Sequence, residues 1–289
     1  MPSHRTETQN NNIMKPKLLK VGLIALFTTG FLLTGCSKED SQTEENETAS
    51  LTAEESKQST EADGVSNDVF NVLEMAYAEI EEEAGRNASL FTDCVTITIS
   101  PQNGVTFVTL DFGLGCQLNN GAFVSGIVNL TYSEIVAGTR TITVTFDDFT
   151  YNNKGVDGGG TIYRERNNAQ GNPQSTVNLA IEVTFQNGTV AQVQGTRVAE
   201  WIEGVGSGTW LDNVFSITGD RDIEFSTGFT HQAVVTEALR REVTCDHFVS
   251  GVIEITRNNG QGLLDFGDGT CDNLAVLTIN GEEFIIILP

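Results

Sequence analysis

The sequence predicts an all-β protein, mostly an antiparallel meander shaped as a sandwich or a curved half-barrel, with one N-terminal helix. Three observations carry that expectation. Residues 176–185 alternate strictly. Val177, Leu179, Ile181, Val183 and Phe185 take one face, and Thr176, Asn178, Ala180, Glu182 and Thr184 the other. That is the period-two pattern of a strand with one buried and one wet side. Asn-Gly recurs at 103/104, 120/121, 187/188, 259/260 and 280/281, and between alternating runs it marks a hairpin, because a type I′ turn needs positive φ at both central positions. Finally, two stretches share one plan of cysteine, strand, Asn-Gly, strand and an Asp-Phe-Gly-x-Gly run into a second cysteine. They run from Cys94 to Cys116 and from Cys245 to Cys271.

Taken in chain order, the first element is an export segment. Lys15, Lys17 and Lys20 lead into an apolar run over 21–33, which is shorter than the ~20 residues a spanning helix needs. The first thirteen residues are polar, whereas Met14-Lys15-Pro16-Lys17 has the character of a leading basic end, so translation is expected to begin at Met14. Leu33-Thr34-Gly35-Cys36 resembles the lipobox of bacterial lipoprotein signal peptides. The resemblance implies removal of residues 1–35, acylation of Cys36 at its thiol and new amino group, and a palmitate-bearing membrane anchor. One acyl chain holds only marginally, but several hold permanently. Ser37-Lys38-Glu39-Asp40 is similar to the signal that sends lipoproteins of some Gram-negative bacteria to the cell surface. It implies the outer leaflet of the outer membrane, with a periplasm-facing anchor as the alternative.

Residues 36–64 read as a disordered tether, with nine acids against two lysines and few bulky apolar side chains, too little apolar surface to offset the entropy of ordering. The helix is expected over 66–84. Val69, Leu73, Ala76 and Ile80 recur at helical spacing, Phe70 and Tyr77 widen the stripe, Ser66, Asn67 or Asp68 supplies a cap, and Gly85 an end. It should dock on its own domain. Residues 65–289 then form a single β-rich domain of about fourteen strands, and an open sheet that large tends to curl or split. Thr141, Ile142, Thr143, Val144, Thr145 and Phe146 form a further alternating run, and glycines over 155–160 and 204–208 mark turns or bulges.

The formal charge is −23, and residues 1–35 carry four basic and one acidic side chain, so the remainder is −26. A surface of that sign repels phosphate backbones and argues against nucleic acid as a partner. Acylation of Cys36 leaves Cys94, Cys116, Cys245 and Cys271, which an exported protein keeps oxidised. Across a turn at 103/104 facing residues sum to 207, close to the 210 of Cys94 plus Cys116; across 259/260 they sum to 519, close to the 516 of Cys245 plus Cys271. Each pair therefore sits at the open end of its own hairpin, which predicts Cys94–Cys116 and Cys245–Cys271. Crosslinks between the two copies are the alternative.

No catalytic constellation emerges. His231 and His247 read as structural, and no serine, histidine and acid stand in a recognisable arrangement. Cofactors are not expected, with one candidate: Asp265, Asp268 and Asp272 crowd a glycine-rich turn and offer the hard oxygen ligands that calcium takes, although local backbone hydrogen bonds are the plainer use of such aspartates. Trp201, Trp210, Tyr151 and Tyr163 suggest either buried aromatics or a sugar-stacking platform. The functional expectation is a surface-anchored, non-enzymatic binding or envelope structural module, whose ligand is a glycan, a lipid or a protein. Two alternatives stand beside it. One is a lipid or hydrophobe carrier using a concave sheet face, which requires the face bearing Val177 and Ile181 to be uncovered. The other is a surface glycan hydrolase with two carboxylates in a cleft.

Overall fold

The computed structural model describes residues 53–81, 89–207, 209–257 and 260–288. The lipobox at Leu33-Thr34-Gly35-Cys36, the Ser37-Lys38-Glu39-Asp40 segment and most of the acidic tether lie outside the described residues.

Among the described residues, one helix, α1 (Ala53–Glu81), precedes fourteen strands. These are β1 (Thr96–Gln102), β2 (Val105–Asp111), β3 (Cys116–Gln117), β4 (Phe123–Tyr132), β5 (Thr139–Tyr151), β6 (Lys154–Glu165), β7 (Gln174–Thr184), β8 (Val190–Glu203), β9 (Val214–Phe225), β10 (Thr230–Glu242), β11 (Ser250–Arg257), β12 (Gly260–Asp268), β13 (Leu274–Ile279) and β14 (Glu282–Ile287). All belong to one antiparallel sheet in sequence order, except that the short β3 pairs beside β2 on β4. It is a single open sheet rather than a two-layer sandwich.

The sheet stays in one piece because it bends around α1. A crease crosses it from strand to strand: Gly126 on β4, a bulge between Thr145 and Thr150 on β5, Gly158 on β6, Gly195 on β8, Gly219 on β9, a bulge between Val234 and Leu239 on β10, and Gly251 on β11. Glycines and bulges are what lets a pleated sheet fold sharply. At Gly219 φ is 133°, and a Cβ there would collide with the Thr196 carbonyl of β8. The glycines of 155–160 thus lie inside β6 and serve the bend rather than a turn.

Helix α1 fills the concave side. It begins at Ala53 rather than at 66, and Ser66, Asn67 and Asp68 sit within it rather than capping it. Ala62, Val65, Val69, Phe70, Leu73, Ala76 and Tyr77 are all buried in one core with the inward residues of the sheet. An enclosed helix buries more than one stripe, and α1 does so, taking even Glu74 to 6% exposure. Further along α1, Asp63 is held by Arg221 and His231 from the sheet, contacts that leave no periodic signal in the sequence.

The predicted strand pattern holds on β7, where Val177, Ile181, Val183 and Phe185 are buried while Asn178 and Ala180 are exposed. Asn103 and Gly104, like Asn280 and Gly281, both have positive φ, as a type I′ turn requires. The register beside Asn259-Gly260 differs from the one expected. Arg257 pairs with Gly260, so facing residues sum to 517 instead of 519, and Gly260 is already strand. That slip of two keeps every side chain on its own face. Both predicted disulfides are present, Cys94–Cys116 with Cα atoms 5.5 Å apart and Cys245–Cys271 at 5.7 Å.

Candidate functional site

The inward positions of a strand in such a sheet should be apolar, yet six carry arginine. Arg140 precedes the buried Ile142 on β5 and faces Arg164 across the β5–β6 pair. Arg164 follows the buried Ile162 on β6, Arg197 lies between Val193 and Ala199 on β8, Arg221 precedes Ile223 on β9, Arg241 follows Leu239 on β10, and Arg257 follows Ile253 and Ile255 on β11. His231, at 2% exposure, joins them on β10. Buried guanidinium groups need acceptors, and α1 supplies them to Arg164, Arg197 and Arg221.

Arg164 Nη1 lies 3.3 Å from Glu74 Oε2, donates to Ser175 Oγ, and its guanidinium covers the Tyr77 ring at 4.0 Å. Arg221 Nε donates to Asp63 Oδ1 at 2.5 Å, and His231 Nε2 faces Asp63 Oδ2 at 3.2 Å. Arg257 Nε in turn donates to His231 Nδ1 at 3.0 Å. Burial works against the charge of Asp63, but Arg221 and His231 more than offset it and hold the carboxyl well below its usual range.

Between the N-terminal half of α1 and the inner face of β10 to β12 lies a cleft of about 550 Å³, within the size range of small-molecule sites. Asn120 and Ala122, ahead of β4, and Tyr151, at the end of β5, close its far side. Its cationic wall is Arg197, Arg221, Arg241 and Arg257, with His231 and His247; its acids are Asp63, Asp68 and Asp246; its apolar wall includes Val243, Phe248, Ile253, Ile255, Leu264 and Phe266.

Two of these cations lack a carboxylate at hydrogen-bond distance among the described residues. Arg197 donates through Nη1 to the neutral amide oxygen of Asn67 at 2.6 Å and stacks on Phe70 at 4.0 Å, while its buried Nε makes no hydrogen bond. Burial, and then the like charges of Arg221 and Arg241, bring its pKa down to about 9. Arg241 spends its Nη1 on main-chain carbonyls, of Cys245 and, at 3.3 Å, of Glu242, and burial lowers its pKa too. Asp68 faces this pair. Burial is the main cause that lifts its pKa to about 6, against the pull of Arg241, Lys154 and a hydrogen bond from Tyr151. The Tyr151 hydroxyl is pushed up by burial and by Asp68, and accepts from Asn120 Nδ2 at 3.3 Å.

The other sequence-predicted sites fare differently. Asp265, Asp268 and Asp272 do not form a metal cage. They accept hydrogen bonds from Gly267 N, Thr270 N and Leu274 N, each two residues on, and among the described residues no group of three or more His, Cys, Asp or Glu is placed to hold a metal ion. The four aromatics form no platform. Trp201 is buried against Trp210 and Phe215, Tyr151 lines the cleft, and Tyr163 faces outward. The apolar face of β7 is covered, with Val177 and Ile181 each 1% exposed in the same core as Phe70 and Leu73. His231 and His247, read as structural, both line the cleft.

The cleft itself escaped the sequence reading. A signal was present: arginine recurring at inward strand phase, opposite a helix with acids and amides at 63, 67, 68 and 74. No family model, no curated protein and no solved structure matches this chain.

Proposed function

We propose that this chain is an exported lipoprotein, acylated at Cys36 and carried on the outer membrane at the cell surface, whose β domain is a non-enzymatic binding module that takes its ligand in the cleft beside α1. The observation that carries the binding reading is the cleft's composition. In a chain of net charge −23, four arginines converge on one concavity that also has an apolar wall. Convergent polar groups beside an apolar wall in a concavity of this size are a usual mark of a ligand site. The ionised Asp63 is engaged by Arg221 and His231, which leaves it as structural support for the cationic wall. With the β7 face packed, the cleft is where a ligand finds room.

Two measurements test this reading. Metabolic labelling with a palmitate analogue should mark the wild-type chain and leave Cys36→Ser unmarked, and protease added to intact cells should degrade the wild-type domain. Native mass spectrometry of the Cys36→Ser chain, exported in the cell that makes it, should show a retained small molecule that Arg241→Gln loses. A wild-type cleft with no adduct, or an adduct indifferent to Arg241, contradicts the binding reading.

A further inference from the structure

The geometry points to an anionic amphiphile, a single apolar chain bearing a carboxylate or phosphate head, as the ligand of the cleft beside α1. This inference rests on the binding reading above and names the ligand class.

The charges inside the cleft select an anionic head. Asp63 is held by Arg221 and His231. Asp68 is shared between Tyr151 and the field of Arg241, and Asp246 is exposed on the rim. Arg197 bonds a neutral amide with its Nε unbonded, and Arg241 bonds main-chain carbonyls. A carboxylate or phosphate entering between Arg197 and Arg241 supplies the charge-assisted acceptors these groups lack, the pairing for which guanidinium geometry is suited.

The apolar wall of the cleft borders the arginines, with Arg197 over the Phe248 ring at 5.8 Å, and suits a tail. Phe248 and Phe266 meet edge to face with centroids 5.3 Å apart, and Ile253, Ile255 and Leu264 extend that surface. Each methylene buried there multiplies affinity about fourfold. A bare anion gains nothing from that wall. An uncharged chain gains the wall but leaves the arginines as they were. A sugar gains no stacking surface from Trp201, which is buried against Trp210 and Phe215. The two walls together select a molecule with both parts.

The test is isothermal titration of the exported Cys36→Ser chain with decanoate, decyl phosphate, decanol, acetate and inorganic phosphate. Decanoate and decyl phosphate should each bind one per chain, decanol at least tenfold more weakly, and acetate and inorganic phosphate at least a hundredfold more weakly. Arg197→Gln and Arg241→Gln should each weaken decanoate at least tenfold and leave decanol unchanged. Arg241→Gln is the arm that stands if Arg197→Gln fails to fold, which circular dichroism reports. Decanol binding as tightly as decanoate, acetate or phosphate binding as tightly as their decyl forms, or decanoate indifferent to Arg241 overturns the inference. If neither decyl anion binds while the native chain still carries an Arg241-dependent adduct, the ligand class is wrong and the binding reading survives. If the adduct is absent as well, both fall.

Discussion

Arg197 of β8 lies over the ring of Phe70 in α1, its guanidinium carbon 4.0 Å from the ring centroid. That contact joins the two halves of the structure: a helix that serves as core, and a sheet that turns cations inward to meet it. Stacking of this kind stabilises a partly desolvated guanidinium that has no carboxylate partner. It also orients Arg197 along the cleft wall. Phe70→Ala should cost about 3–5 kcal/mol in chemical denaturation, as for other buried aromatics. Arg197→Met should change stability by less than about 1.5 kcal/mol, because a buried charge is replaced by an apolar chain of similar length.

Asp68 gives the fold a pH dependence of defined sign. Its folded pKa of about 6 lies above the ordinary value of 3.8, so the folded state binds the proton more tightly than the unfolded state does. The group is neutral to stability below about pH 4. It costs progressively more as pH rises from 4 to 6, and the full penalty persists above 6. Asp68→Asn should therefore stabilise the protein at pH 7.5 by up to about 3 kcal/mol and leave it unchanged at pH 3.5. Urea midpoints at the two pH values measure this.

The crease makes Gly219 irreplaceable in a way that turn glycines are not. With φ at 133° and the Thr196 carbonyl against the missing Cβ, Gly219→Ala should cost about 2–4 kcal/mol. Gly188, with φ of 85° but open space around it, should cost about 1 kcal/mol as alanine. Thermal melts of the two variants should separate them by several degrees.

Glu74 and Arg164 should be strongly coupled, because both are buried, at 6% and 2% exposure. Arg164→Met leaves a buried carboxylate unpaired and should cost about 3–5 kcal/mol, whereas Arg164→Met with Glu74→Leu should recover most of it. A double-mutant cycle by denaturant unfolding gives the coupling directly.

The disulfides each close a short loop, with sequence separations of 22 and 26, for which chain entropy gives about 3 kcal/mol apiece. Replacing Cys94 and Cys116 together by alanine should lower stability by about that amount. Non-reducing peptide mapping should recover 94–116 and 245–271 and no crosslink between the pairs.

The strands were legible because alternation is a local code: β7 could be read from ten residues, and its buried set matched its pattern at Val177, Ile181 and Val183. Hairpin turns were legible where Asn-Gly needed two positive φ values, as at 103/104. At 259/260 the same dipeptide did not predict the register, since Arg257 pairs with Gly260 and Gly260 already belongs to β12. The helix start was misplaced because Asp63 and Asn67 are fixed by Arg221 and Arg197, more than a hundred positions away in sequence. The cleft was illegible for the same reason. An inward arginine on one strand reads as an irregularity, and only the curvature imposed by the crease brings four of them to one place.

The most direct test of the central claim, that Arg197 and Arg241 are the anion-facing wall of a binding cleft, is a titration followed at the arginine side-chain Nε–H signals by NMR. Adding decanoate should move the Arg197 and Arg241 signals saturably, with one midpoint, and leave that of the exposed Arg166 in place. Signals of Arg197 and Arg241 that stay fixed while Arg166 shifts, or that drift together with it without saturating, would contradict the account.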